Sequence, residues 1–291
     1  MLNRVIGLLA DEGWFDPSQR FDKTVYLTHG AAQTLLLSRD GEPECFVKFS
    51  ERSSLQLEAQ RCEAAARRFP GLAPAFIGHA RRGPLEVLAT RAVVFRALNA
   101  GLMRSSRHMG VVQSGLEGYF RRMSEFARAP GGPRDWVADY RAYFENLPWR
   151  QAAGESLDDL LEVVATLPRP DQHGDFVVNN LGIGRQGRLA VFDWEDYGAV
   201  DVPGLDLFTL EVSLHEASAP GGDGRVPSGR VHGLDIERLC GAMSLPVDTY
   251  DRLRLAYAFV FRFLKRNYGP EVRGRVDRLL HRLSAVAAAA A

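Results

Sequence analysis

An α+β fold in two lobes is what the sequence predicts, with a small β-rich lobe over residues 1–92 and a larger helical lobe over 93–291. Three observations lead there. Between residues 24 and 49, short runs rich in apolar and β-branched residues alternate with turn residues. From about residue 96 the apolar period becomes helical and stays so through most of the chain. A polar, Gly- and Asn-bearing segment over 173–193 interrupts those helices and reads as a loop followed by a hairpin. A chain of 291 residues also suits two joined lobes better than one minimal core.

In the first lobe, residues 2–10 form a short amphipathic helix. Val25–Thr28, Thr34–Leu37 and Cys45–Phe49 are strand-like runs, the last two joined by the turn Arg39-Asp40-Gly41-Glu42-Pro43. In Cys45-Phe46-Val47-Lys48-Phe49, alternation puts Phe46 and Lys48 on one face and Cys45, Val47 and Phe49 on the other. A helix is expected from about Ser53 to Phe69, with Ser53 or Ser54 as N-cap and Pro70-Gly71 as its stop. Residues 76–79 and 84–92 read as two further strands.

The second lobe should hold helices near 112–128, 134–145 and 155–166. Pro168-Arg169-Pro170 then forces an extended entry into His173-Gly174-Asp175. Leu181–Gly184 and Leu189–Asp193 flank Arg185-Gln186-Gly187-Arg188 as a small hairpin. Helices over 205–217, 233–243, 248–267 and 270–288 complete the chain, with a Gly-, Pro- and Ser-rich loop over 218–232.

Composition excludes several classes. The formal net charge is zero, so no overall field favours nucleic acid or an anionic membrane as partner. The longest apolar stretches, such as Leu255 to Leu264, are broken by Arg262 and fall short of a membrane span. The first residues carry Asp11 and Glu12 and lack the apolar core of a signal peptide. Cys45, Cys62 and Cys240 are isolated, with no CxxC pair, which argues against structural zinc and a disulfide framework. The expectation is a cytoplasmic protein with small, buried, reduced cysteines.

The chemistry is concentrated in His173-Gly174-Asp175-Phe176-Val177-Val178-Asn179-Asn180 and in Phe192-Asp193-Trp194-Glu195. Phosphoryl transfer needs a carboxylate near the attacking hydroxyl, oxygen ligands for magnesium and a lysine on the phosphates. Asp175 and Asn180 have the spacing of a base and a metal ligand on one loop, and the expected hairpin returns Asp193 as a second metal ligand. Asn179 is off by one and reads as structural. Lys48 is flanked by apolar residues and needs a partner. Glu58 lies on the apolar stripe of the following helix with Leu55, Cys62, Ala65, Ala66 and Phe69, and supplies one. Glu63 lies on the opposite face and is the weaker candidate.

These residues resemble the Brenner motif of the aminoglycoside phosphotransferase and choline kinase group of protein-kinase-like enzymes. Protein kinases have His-Arg-Asp where this chain has His173-Gly174-Asp175, and Asp-Phe-Gly where it has Asp193-Trp194-Glu195. The resemblance covers roughly residues 20–215. It implies the protein-kinase-like fold and an ATP- and Mg2+-dependent kinase of a small-molecule hydroxyl. Asp175 would be the catalytic base, Lys48 and Glu58 the phosphate-holding pair, and Asn180 and Asp193 the metal ligands. His173 would support the catalytic loop, and Asp206 would cap a helix and brace that loop. Gly30 and Ala31 would approach the phosphates, although a single glycine and the absence of GxGxxG depart from the usual loop. No Walker A pattern occurs. Adenine would sit around Val87 to Val93. The short stretch from Asp193 to Asp206 leaves no room for a phosphorylatable activation segment, which disfavours a protein Ser/Thr kinase. A nucleotide-binding pseudokinase or regulatory scaffold is the alternative from another class, disfavoured because Lys48, Glu58, Asp175, Asn180 and Asp193 are all present.

The acceptor is less legible. Between Leu189 and Gly224 there are eight acidic residues and no Lys or Arg, a pattern that suits a cationic acceptor, magnesium or plain solvation. From Arg225 onward, 12 basic residues face 6 acidic ones. Tyr250, Tyr257, Phe259, Phe261, Phe263 and Tyr268 can be an aromatic cage or, at helical spacing, a core. A sugar or other polyol is favoured slightly over an amino alcohol or aminoglycoside.

Overall fold

The computed structural model describes residues 1–16, 21, 23–29, 32–99, 105–218, 230–231 and 233–290. The chain divides into two compact units, residues 1–96 with 182–196 and residues 97–181 with 197–291.

The first unit is built on a five-stranded antiparallel sheet. Its helix α1 (Leu2–Asp11) precedes β1 (Lys23–His29), β2 (Ala32–Arg39) and β3 (Glu42–Ser50). Helix α2 (Gln56–Arg68) follows, then β4 (Phe76–Arg82) and β5 (Leu85–Arg91). The strand order is β1-β2-β3-β5-β4. Asp40 and Gly41 join β2 to β3 with φ of 52° and 75°, both in the left-handed region that a two-residue hairpin turn demands. Alternation on β3 works as the sequence predicts. Cys45, Val47 and Phe49 are buried in one cluster with Val5, Leu8 and Leu9 of α1 and Leu35 and Leu37 of β2. Leu55 and Ala59 at the start of α2 pack with Leu88 and Phe76 in a second cluster. Two helices therefore cover the sheet through separate contacts, and Lys48 is left outside the α1 cluster.

Helix α2 begins at Gln56 rather than Ser53, because Ser53 is tied back to Ser50 through its backbone N–H and its hydroxyl. A buried carboxylate does the work expected of a serine cap: Glu86 accepts from the Leu55 N–H at 2.6 Å and from the Ser54 hydroxyl at 3.1 Å.

A short sheet of β6 (Phe95–Ala97), β7 (Leu181–Gly184) and β8 (Leu189–Val191) has the order β6-β7-β8. Gly182 is required there, since a Cβ would lie 2.3 Å from the Phe95 ring.

The second unit is helical: α3 (Ser106–Glu125), α4 (Trp136–Phe144), α5 (Arg150–Val164), α6 (Leu205–Ser218), α7 (Ile236–Ala242), α8 (Val247–Arg252), α9 (Arg254–Leu264) and α10 (Pro270–Ala290). A two-stranded ribbon, β9 (Arg230–Val231) with β10 (Leu234–Asp235), precedes α7. The single helix expected over 248–267 is three pieces, α8, α9 and a 3-10 turn over Lys265–Asn267, with the break at Leu253. Every residue of α9 from Ala256 to Leu264 is buried, so it is the unit's central helix. Tyr250, Tyr257, Phe259, Phe261 and Phe263 are core residues, and the aromatic-cage reading of them is set aside.

Asp201 organises the segment that leads into the loop over 172–180. It is 2% exposed and takes Arg134 at 2.8 Å, Arg169 at 2.7 Å, Arg128 at 3.2 Å and the Trp136 indole N–H at 2.8 Å. Burial would raise its carboxyl pKa, but these donors and charges outweigh burial and hold it below the usual range. Arg169, between the two prolines, is pinned further by a pair of 2.9 Å backbone hydrogen bonds with Arg128.

All three cysteines are free; Cys45 and Cys240 are buried. Burial pushes the Cys45 thiol up to about 12, which makes it a small core residue rather than a nucleophile. No helix among the described residues is long and apolar enough to cross a membrane.

Candidate active site

In the first unit, β3 presents Lys48 between Thr34 of β2 and Leu88 of β5. Its ammonium lies 2.7 Å from Glu58 of α2, the partner expected from the sequence. It also lies 3.0 Å from Glu195, which the sequence reading did not single out. Burial alone would lower the Lys48 pKa, but the two carboxylates outweigh it and hold the pKa above the ordinary lysine value. The lysine is charged at any physiological pH. Glu63 is paired instead with Arg67, one helical turn away at an exposed site, so it is not the partner of Lys48.

Glu195 is held in place by its neighbours. It belongs to a 3-10 turn, Trp194–Asp196, that follows β8. Trp194 stacks on Phe69 at the end of α2, ring centroids 5.3 Å apart, and donates its indole N–H to the Val191 carbonyl at 2.9 Å. Arg61 of α2 donates to the Glu195 carbonyl. Asp193 introduces this turn with φ of 59°. A left-handed non-glycine residue costs about 1 kcal/mol or more and recurs at functional sites. Phe192, just before it, packs on Phe95 with centroids 3.9 Å apart.

In the second unit, the segment from Gln172 to Asn180 is a buried loop ending in a 3-10 turn, Val178–Asn180. Asp206, in the first turn of α6, is fully buried and accepts three hydrogen bonds. They come from the His173 N–H at 2.7 Å, the Gly174 N–H at 2.9 Å and the Tyr119 hydroxyl at 2.6 Å. These three hydrogen bonds tie the start of α6 to the loop. Burial raises the Asp206 pKa, and these donors pull the other way without cancelling it. Gln172 closes the connection, accepting from the Asp206 N–H at 3.1 Å. Gly174 has φ of 84°, which lets the chain turn between two anchored amides. His173 is buried, and its Nδ1 accepts from the Asp175 N–H at 3.3 Å.

Asp175 is thereby set at the loop's centre, 9% exposed. Asn180 donates its side-chain N–H to the Asp175 carbonyl at 2.9 Å and to its Oδ2 at 3.3 Å. Lys265, from the turn after α9, lies 2.7 Å from Oδ1. Asn179 is exposed. Gly30 and Ala31, expected against the phosphates, lie outside the described residues.

No family model and no curated protein matches the sequence. Solved structures do match. The aminoglycoside phosphotransferase APH(4)-Ia superposes with a TM-score of 0.59 at 14% identity, covering 99% of each chain. Choline kinase LicA from Streptococcus pneumoniae gives 0.57 at 13% identity, over 97% of this chain and 99% of that one. Amicoumacin kinase hAmiN, solved with AMP-PNP, Ca2+ and Ami, gives 0.57 at 11% identity, over 95% of this chain and 92% of that one. The chain has the protein-kinase-like fold.

The first unit holds Lys48, Glu58, Glu195 and Asp193, and the second holds Asp175, Asn180, His173, Asp206 and Lys265. Two of these escaped the sequence. Glu195 could have been found by asking why a carboxylate follows a buried tryptophan. Lys265 carried no such signal, because Leu264-Lys265-Arg266 reads as an ordinary basic helix end.

Proposed function

We propose that this protein is a kinase that transfers the γ-phosphate of ATP to a hydroxyl of a small molecule, with magnesium as the metal. The observation that carries the reading is the Lys48–Glu58 ion pair at 2.7 Å, made between β3 and α2 where a phosphate-holding lysine is needed. A lysine held charged by two carboxylates suits nucleotide phosphates better than general-base work.

Lys48 holds the phosphates, with Glu58 orienting it; Glu195 shares the ammonium when no phosphate is near. Asp175 accepts the hydrogen bond of the acceptor hydroxyl and aligns it with the γ-phosphorus. The loose transition state makes this alignment matter more than strong basicity. Asn180 spends its amide nitrogen on Asp175, which leaves its oxygen for a cation, and Asp193 supplies a carboxylate. Among the described residues no cluster of three or more His, Cys, Asp and Glu forms a metal cage. Magnesium does not need one, since it binds through one or two protein oxygens together with phosphates and water. The donor set fits. When bound, the ion would neutralise charge on the β- and γ-phosphates.

A sugar or other polyol is the favoured acceptor. Half of the eight carboxylates after Leu189 are already engaged, which weakens the case for a cationic acceptor: Asp201, Asp206 and Glu211 are buried on internal partners and Glu195 is on Lys48. The deciding experiment follows ADP release over a panel of polyols, sugars, amino alcohols and aminoglycosides. Turnover with an uncharged hydroxyl compound supports the reading; ATP binding with no turnover on any acceptor, water included, favours the pseudokinase.

Two substitutions separate the roles in the first unit. Lys48→Ala should weaken ATP binding by roughly 10- to 100-fold, the worth of a charge-assisted hydrogen bond, and leave the far-UV circular dichroism unchanged. Titration with a fluorescent ATP analogue measures this, and wild-type affinity would remove Lys48 from the site. Asp193→Ala should abolish the part of ATP affinity that depends on magnesium. Isothermal titration with and without EDTA tests it, since the reading requires the two curves to coincide for the variant and to differ for the wild type.

A further inference from the structure

Lys265 is 2% exposed, at the 3-10 turn that links α9 to α10. Burying an ammonium costs several kcal/mol unless a carboxylate meets it. Here that carboxylate is Asp175, at 2.7 Å through Oδ1. Two aromatic rings lie against the ammonium, the Tyr268 centroid 4.1 Å and the Phe261 centroid 5.7 Å away. The other Asp175 oxygen, Oδ2, is met by Asn180 at 3.3 Å. Each carboxylate oxygen therefore has its own partner, the Asn180 amide on Oδ2 and the Lys265 ammonium, as an ion pair, on Oδ1. A donor on one oxygen and a cation on the other restrict rotation of the carboxylate plane about its Cβ–Cγ bond, which a single partner does not. A rotation of that plane would change which lone pair faces an incoming hydroxyl.

We infer that Lys265 is a positioning residue for Asp175: it holds the carboxylate in the orientation that receives the acceptor hydroxyl. The inference rests on the kinase reading above and on Asp175 as its base. Lys265 acts through Asp175, so its contribution should vanish once the carboxylate is gone.

The test is a double-mutant cycle on the full chain. It uses Lys265→Met, Asp175→Asn and the double variant, with ATP, magnesium and the acceptor that turns over fastest in the panel, or water if none exceeds hydrolysis. Lys265→Met should lower kcat by roughly 10- to 100-fold, as misplacement of a reacting group predicts, with the KM for ATP changed by less than about threefold. In the Asp175→Asn background the same substitution should lower kcat no further, within about twofold. Lys265→Met leaves Asp175 buried without its cation, so the melting temperature should fall, and the double variant should recover part of that loss. If the single variant does not fold, Asp175→Asn against the double variant still decides the matter, since neither contains the carboxylate. Wild-type kcat in Lys265→Met, or a loss that persists undiminished in the Asp175→Asn background, would overturn the inference. Full turnover in Asp175→Asn would instead defeat the role of Asp175, and no ADP release by the wild type would defeat the kinase reading itself.

Discussion

Asp175→Asn should lower kcat by roughly 10²- to 10⁴-fold, the range for loss of a general-base group, with ATP affinity little changed. The substitution keeps the side-chain shape and the loop geometry, because His173 and Gly174 are held through their backbone amides by Asp206 and not by Asp175. What it removes is the negative charge and one acceptor at the point where an acceptor hydroxyl would bind. Nucleotide binding should survive, since the proposed phosphate and metal ligands are Lys48, Asn180 and Asp193. Some stability should also be lost: Lys265, 2.7 Å from Oδ1, would face an amide in place of a carboxylate. A neutral acceptor for a buried cation costs about 1–3 kcal/mol. The kinetics therefore need to be run well below the variant's melting temperature, with ATP titrated in parallel. Turnover near that of the wild type would remove Asp175 from the mechanism. A matched loss of kcat and ATP affinity would move it into the nucleotide site.

The first unit was largely legible because its signals are local. Alternation over Cys45–Phe49 assigned the buried face, and the stripe of α2 assigned Glu58, so the Lys48 pair required only two neighbouring elements. The loop over 173–180 and the hairpin after it were legible as elements from their Gly and Asn residues. Contacts between elements remote in the chain were not. Glu195 reaches Lys48 across 147 positions, and nothing in Asp193-Trp194-Glu195 says that Trp194 will stack on Phe69 and aim the next residue at β3. Lys265 looks like a solvated helix end until α9 proves to be buried on all sides. The acidic stretch after Leu189 illustrates the same point. Composition counts charges, but only the fold reveals that Asp201 lies among three arginines and that Glu211 bonds Tyr250 and Arg254. Strand β6 is three residues long, too short for any periodicity to show.

Asp206→Ala should be among the most damaging single substitutions in the second unit. Asp206 is 0% exposed, and its two oxygens satisfy three donors: the His173 and Gly174 amides and the Tyr119 hydroxyl. Truncation strands all three in a buried setting, at about 1–3 kcal/mol for each group left unsatisfied. Partial relaxation and water entry keep the sum below simple addition, so a loss of about 3–5 kcal/mol is expected. Against a typical stability of 5–15 kcal/mol, that is a large fraction, and the variant should unfold at markedly lower urea. The effect should not stop at stability. Freed amides let the turn at Gly174 relax, and Asp175 is the next residue, so kcat should fall by roughly 10- to 100-fold even where the protein is fully folded, as misplacement of a reacting group predicts. Asp206→Asn makes the useful control. Its amide oxygen can accept from one or two of the donors, while its N–H2 confronts another, so both losses should be intermediate. Urea denaturation followed by fluorescence gives the first quantity and ADP release at low temperature the second. A stability loss under about 1 kcal/mol together with unchanged kcat would mean that the loop holds its shape without Asp206.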